Sequence, residues 1–227
     1  MSNASFPAGF TGQARLFPLP NLVFFPYVMQ PLHIFEPRYR QMTVDALQGD
    51  RFIALVLPLP GWEKNYQGKP AIHPIACIGQ ILAEHCLEDG CFNILLRGQA
   101  RIRILEELPT DKLYRIARTE IIHDTLLPDA GEELCWRQTL IRKAPAWFPN
   151  QGEVVEQLCR LLQGELPIGT LCDIITFSLP LDAEFKQTLL AELDVATRLQ
   201  RLHDWLDARQ QHAAQQPRKF PTEFSLN

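Results

Sequence analysis

The sequence predicts an α+β fold, with a small strand-built barrel in the first half of the chain and a helical bundle in the second. Three observations carry this. Between residues 15 and 35, short apolar runs are broken by Pro18, Pro20, Pro26 and Pro31. Proline lacks an amide hydrogen and fixes φ, so it belongs at strand edges and bulges. Up to residue 122 short apolar runs recur with turn residues between them, the spacing of a sandwich or barrel. After Asp124 every segment takes a helical period. The expected boundaries are a barrel over 13–124, a bundle over 125–211 and a tail over 212–227.

The elements follow in order. Residues 15–17, 22–25 and 32–35 read as short strands that lead into a helix plugging the barrel. Glu36 is placed to cap that helix, since a carboxylate there faces unpaired amides and the positive end of the dipole. Pro37 suits the first helical position. Tyr39, Met42, Ala46 and Leu47 share one face, and Gly49 supplies a left-handed stop. Residues 52–57 form a continuous apolar run, expected to be a central strand buried on both faces. A long polar loop over 58–74 carries Trp62 and Tyr66. Strands are expected over 75–83 and 91–96, joined by a turn at Asp89-Gly90, where positive φ is tolerated. Gly98 and Gln99 mark a break. Residues 100–105 then alternate as a strand whose wet face carries Arg101 and Arg103, and 114–122 give one more.

In the second half, Leu134, Leu140 and Ile141 begin a helix that Pro145 and Pro149 interrupt. Val154, Val155, Leu158, Leu161 and Leu162 form a full stripe closed by Gly164. Leu171, Ile174 and Ile175 lie on a third short helix, and Asp182 and Asp194 cap a fourth and a fifth. Short amphipathic helices on short connections pack as a bundle. The tail is polar apart from Phe220 and Phe224, which are expected to dock in a groove of this chain or of a neighbour.

Composition narrows the function. The 227 residues are 46% hydrophobic and 21% charged, ordinary for a globular protein with a real core. A net charge of -4 gives no general attraction to phosphate backbones, so nucleic acid is not an expected partner without a local basic patch. No secretory leader is visible, and no apolar run approaches the roughly 20 residues a spanning helix needs. The expected compartment is the cytoplasm, with no membrane contact. The six cysteines then read as reduced, mostly buried thiols.

Chemistry is hard to place on this chain. The nearest approach to a phosphate-binding loop, from Gly61 to Gly68-Lys69, has the wrong spacing and Pro70 where a hydroxyl belongs. Of the four serines, Ser178 alone lies away from the termini, at an apolar helix end without an activating neighbour. His85, Cys86 and Cys91 could bracket a metal across a hairpin, but the spacing lacks a paired-cysteine motif and a fourth ligand. A buried Cys91 and a surface His85 are favoured. Glu36, Arg38 and Arg40 read as a cap and its ion pairs. The reading is therefore of a non-enzyme without catalytic residues, cofactor or metal. Trp62 and Tyr66 remain as candidate peptide contacts, because a large aromatic in a polar loop either folds back or stays available.

Three motifs then stand in order. Leu16-Phe17-Pro18-Leu19, Val23-Phe24-Phe25-Pro26 and the run from Pro31 through Phe35, Glu36, Pro37 and Arg38 to Tyr39 resemble the opening of the Lon protease N-terminal, substrate-binding domain. The run Gly98-Gln99-Ala100-Arg101-Ile102-Arg103-Ile104 resembles that domain's barrel-closing strand. Leu179-Pro180-Leu181, followed by Leu189-Leu190-Ala191-Glu192-Leu193-Asp194-Val195, is similar to its helical part. Pro26, Pro31, Phe35, Glu36, Pro37, Arg38, Tyr39 and Gly98 form the structural signature.

The resemblance implies a PUA-like β pseudo-barrel followed by a helical bundle, in a free-standing form without ATPase or protease domains. It implies binding of unfolded or extended polypeptides, in company with Lon or another ATP-dependent protease, by a monomer or weak homo-oligomer. Two alternatives are an RNA-binding PUA-like module and an adaptor or scaffold docking on such a protease. The binding surface is expected in the 58–74 loop and in a cleft against the bundle, with edge strands accepting an added strand.

Overall fold

A computed structural model describes residues 9–65, 68–127, 129–148 and 151–215. Strands β1 (Gln13–Pro18) and β2 (Met29–Ile34) are followed by α1 (Pro37–Leu47) and then β3 (Phe52–Val56). A one-turn 3-10 helix (Trp62–Asn65) precedes β4 (Ile75–Cys86), β5 (Phe92–Leu108) and β6 (Arg115–Ile122). Among the described residues five helices follow: α2 (Ala130–Trp147), α3 (Gly152–Gln163), α4 (Ile168–Ser178), α5 (Ala183–Ala191) and α6 (Val195–Gln215). The fold is α+β. Tyr66, Pro149, Phe220 and Phe224 lie outside the described residues.

The barrel closes on itself. β1 pairs in parallel with β3, and antiparallel pairings then run β3–β4, β4–β5, β5–β6 and β6–β1. A ring closed in this way leaves its members no free edge. Leu16, Ala54, Ile78, Ile102 and Ala117, one or more from each ring strand, turn to one face and pack with Phe10 and Phe52. Alanine is frequent there because a five-stranded ring encloses little space. Alternate residues, Phe17, Ile53, Leu55 and Cys77, face the other way and meet Tyr39, Met42 and Ala46 of α1. The helix therefore covers the outer face of β1 and β3 instead of plugging the lumen.

Several local expectations change. Residues 22–25 form no strand, yet Val23, Phe24 and Phe25 are fully buried as an irregular segment held between positive-φ residues Asn21 and Tyr27. The left-handed residue after α1 is Arg51, at φ 65°, and not Gly49. Gly164 ends α3 in an extended conformation. Glu36 sits at the N-cap of α1 without a side-chain cap bond, because its carboxylate takes Arg38 instead, 2.8 Å from Nη2. Asp182 and Asp194 do cap their helices, accepting from the amides of Phe185 and Thr197 at 2.8 and 2.7 Å. α2 runs through Pro145 to Trp147, so the proline does not end the helix; its missing N–H and its ring bear on the turn before it, at Ile141.

The expected break at Gly98 is a bulge within one 17-residue strand. Gly79 opposes Gly98 and Ile78 opposes Ala100, which leaves Gln99 unpaired and bends β5. Its first half then pairs with β2 and its second half with β6. The Gly98 amide donates to the Val28 carbonyl, and the Tyr27 amide donates to the Gly98 carbonyl, each at 2.9 Å. A Cβ at residue 98 would stand 2.0 Å from the Phe25 carbonyl oxygen.

Arg101 is the largest correction, for it lines no solvated face. It is buried, and its guanidinium grips Asp173 of α4 through two bonds of 2.7 and 2.8 Å, while its Nε donates to the Leu190 carbonyl at 2.9 Å. Arg198 of α6, also buried, binds Asp124 through bonds of 3.0 and 2.6 Å. Asp124 lies 3.4 Å from Arg101, and Asp173 lies 3.4 Å from Arg198. Two cations and two carboxylates thus join β5, Asp124 just after β6, α4 and α6 in one neutral cluster. Burial pushes the Asp173 carboxyl up against the pull of both guanidiniums. For Asp124 burial acts the same way, but the Arg198 hydrogen bond and both charges bring it below the usual range. Arg103, by contrast, is exposed and pairs with Glu120 at 2.5 Å.

Candidate functional site

β2 is the member of the sheet with one neighbour, β5, and it presents an apolar row to solvent. Tyr27 just ahead of it, Met29 and Pro31 within it and Phe35 just behind it are all exposed, the three large side chains by 53, 56 and 61%. His33 belongs to the same row and stacks on Phe35 at 6.0 Å. The intervening Val28 and Ile34 are buried, as the two-residue strand period requires. Register extends the face across β5: Met29 opposes Arg97, Pro31 opposes Leu95 and His33 opposes Asn93, with a 2.8 Å contact between His33 and Asn93 side chains. On β4, Leu82 is the extra residue of a bulge and is also exposed.

The edge of β2 is less open than its face. Pro31 contributes no N–H at its centre, and Gln30 Nε2 donates to the Pro31 carbonyl at 2.8 Å. Proline and covered polar groups are the usual means by which an edge is closed to strand addition. Among the described residues Arg97 is the cation on this face and has no ion-pair partner, and apolar side chains otherwise predominate.

The signature residues divide between core and surface. Pro26, Tyr39 and Gly98 are buried, Arg38 stacks its guanidinium 4.6 Å from the Tyr39 ring centre, and Pro37 opens α1. Pro31 and Phe35 stand on the exposed row and take no part in the core. Trp62 is half-buried on its 3-10 turn. It lines neither the row nor the barrel mouth. No local sequence pattern marks Tyr27, Met29 or Leu82 as exposed.

A cleft of about 330 Å3 opens at the mouth of the barrel. It is formed by the end of β1, Pro58, residues 68–70, the start of α1 and the β5–β6 hairpin, and not by the helical bundle. Tyr114 on its floor donates from its hydroxyl to Asp45 at 2.8 Å. Burial, and then that bond, push the Tyr114 hydroxyl up to about 12. Burial works against the Asp45 carboxylate, but Tyr114 and Lys112 hold it below the usual range.

Other candidates fall into ordinary roles. Ser178 donates its hydroxyl to the Ile174 carbonyl at 2.8 Å. Cys91 is buried and His85 exposed, while Cys86 and Cys135 are exposed thiols. Burial pushes the Cys172 thiol up to about 12. Among the described residues no three His, Cys, Asp or Glu side chains stand together as a metal site, and no helix is long and apolar enough to cross a membrane.

Comparison with known proteins agrees with this architecture. The family model for the ATP-dependent protease La (LON) substrate-binding domain matches residues 13–208. The chain is 29% identical over 206 residues to the Lon protease of Heliobacterium modesticaldum, covering 90% of this chain and 25% of that one. It is 27% identical over 193 residues to the Lon protease of Desulfosudis oleivorans, covering 82% and 23%. It thus spans about a quarter of the length of these curated relatives. A Lon N-terminal domain protein from Xanthomonas campestris superposes with a TM-score of 0.60 at 23% identity, covering 85% of this chain and 98% of that one. The N-terminal domain of Mycobacterium avium complex Lon protease gives 0.67 at 15% identity, covering 86% and 98%. With its closed strand ring, its helical second half and a family match over nearly its whole described length, this chain belongs to the LON substrate-binding domain family.

Proposed function

We propose that the chain is a non-catalytic module that binds unfolded or extended polypeptide segments through the β2 face. The observation that carries this is the exposed row of Tyr27, Met29, Pro31 and Phe35, with Leu82 beside it. Apolar side chains arrayed at strand spacing on a rigid sheet suit an extended segment presenting alternate apolar residues. Because Pro31 and Gln30 blunt the edge, the segment docks by side-chain contact rather than as an added strand. Folded proteins bury such residues, so the face favours unfolded chains. The module would act beside an ATP-dependent protease that supplies unfolding and hydrolysis. A net charge of -4 favours this reading over RNA binding.

The test is fluorescence anisotropy with a labelled, permanently unfolded model protein. Met29→Asp and Phe35→Asp each place a charge in the face and should weaken binding about tenfold, the equivalent of ~1.4 kcal/mol, with unchanged melting. Trp62→Ala and Tyr66→Ala test a second contact in the 58–74 loop, expected to weaken binding by a smaller factor. Unaltered affinity in both β2 variants refutes the assignment of the face.

A further inference from the structure

The cleft at the barrel mouth has a charge pattern of its own. Among the described residues four cations line it, Arg38, Lys69, Lys112 and Arg115, and no carboxylate does. Three are already matched by acids standing outside the lining. Arg38 pairs with Glu36, Lys112 with Asp45 at 3.1 Å, and Arg115 with Glu107, its Nε donating at 2.9 Å. Lys69 is exposed and makes no ion pair among the described residues, although its charge reaches Glu107. Counted by ion pairs, four cations meet three carboxylates, and Lys69 is the one left over. Arg115 is held further by Nη1 donating to the Pro70 carbonyl at 2.9 Å, which ties the 68–70 segment to the hairpin.

The walls between these charges are apolar. Pro18 and Pro58 line one side, and Leu113, 62% exposed, lines it as well. Pro18, Pro58 and Pro70 offer no amide donors, so the cations are the charged donors of the lining, beside the Thr110 hydroxyl. The volume is at the small end of the roughly 300–1,000 Å3 common for ligand pockets.

We propose that this cleft binds a compact monoanion, a carboxylate on a short branched or aromatic apolar body, with Lys69 as the charge partner. One uncompensated cation matches one carboxylate, whereas a phosphate dianion would be left partly unpaired. Such a carboxylate has two sources, a free small organic acid or the C-terminal residue of a polypeptide chain. The site is separate from the β2 face and does not rest on it.

The experiment is amide-resonance titration of the 15N-labelled full chain. 4-Methylpentanoate should shift the resonances of Lys69, Leu113 and Arg115, and 4-methylpentanamide, alike in shape but uncharged, should bind about tenfold more weakly. Lys69→Glu should abolish the response at unchanged melting temperature, and Met29→Asp should leave it intact. An acetylated tripeptide ending in free leucine that binds more tightly than 4-methylpentanoate assigns the source as a polypeptide C-terminus. Weaker binding by that peptide assigns a free acid. Equal shifts from acid and amide, full binding by Lys69→Glu, or equal shifts from inorganic phosphate would each overturn the proposal.

Discussion

At Gly98 a hydrogen in place of a side chain lets the Phe25 carbonyl approach the middle of β5. Gly98→Ala must push the 23–28 segment away from the strand and break two 2.9 Å bonds. The expected cost is about 1–3 kcal/mol, as for other overpacked sites, read by denaturant unfolding. Phe35 belongs to the same signature but stands in solvent, so Phe35→Ser should move stability by no more than about 0.5 kcal/mol. Both residues are equally conspicuous in the sequence. Only their surroundings separate a packing role from an exposed one. Phe35 adjoins the β2 strand, whose row 27–35 is apolar on both faces: Val28, Leu32 and Ile34 alternate with Tyr27, Met29 and Phe35. Such a run gives periodicity no polar face by which to choose the wet side.

Among elements, α1 and the start of β6 are joined by Tyr114 and Asp45. The Tyr114 hydroxyl titrates higher in the folded chain than in the unfolded one, near 12 against about 10. The stability this gives is complete below pH 10 and is lost as pH rises toward 12. Asp45 is shifted the other way, so its contribution holds above the unfolded carboxylate value and is lost as pH falls through the lower folded one. Thermal melting against pH should therefore decline at both limits, and Tyr114→Phe should flatten the alkaline limb. β5 shows how far elements could be read from residues. Its two apolar stretches were legible, but their continuity through a bulge depends on pairing with β2, β4 and β6, which no local pattern records.

For the whole molecule the Arg101–Asp173–Arg198–Asp124 cluster holds the barrel and the helices together. Asp173→Ala would leave two buried guanidiniums facing Asp124 alone. Breaking a buried pair from one side costs about 3–5 kcal/mol, and each kcal/mol is worth roughly 2–4 °C at this chain length. The melting temperature of Asp173→Ala should therefore fall by about 10 °C, measured by calorimetry. Arg101→Met combined with Asp173→Leu removes both charges and should cost less than Asp173→Ala alone, because no buried charge is then unpaired. A double variant worse than the single one would refute this account of the joint.

The order of strands, then helices, and the Asp182 and Asp194 caps were determined by the sequence, since each depends on residues within a few positions of one another. So was membership of the family, carried by runs of adjacent residues. The closed ring, the burial of Arg101, the exposure of Phe35 and the cations gathered at the barrel mouth were decided by tertiary structure. Arg101 and Asp173 are 72 residues apart, and an arginine on an alternating strand looks solvated until a carboxylate from a distant helix is brought against it. Where a side chain meets water, or a charge meets its partner, depends on contacts between segments, and those exist only once the chain has closed on itself.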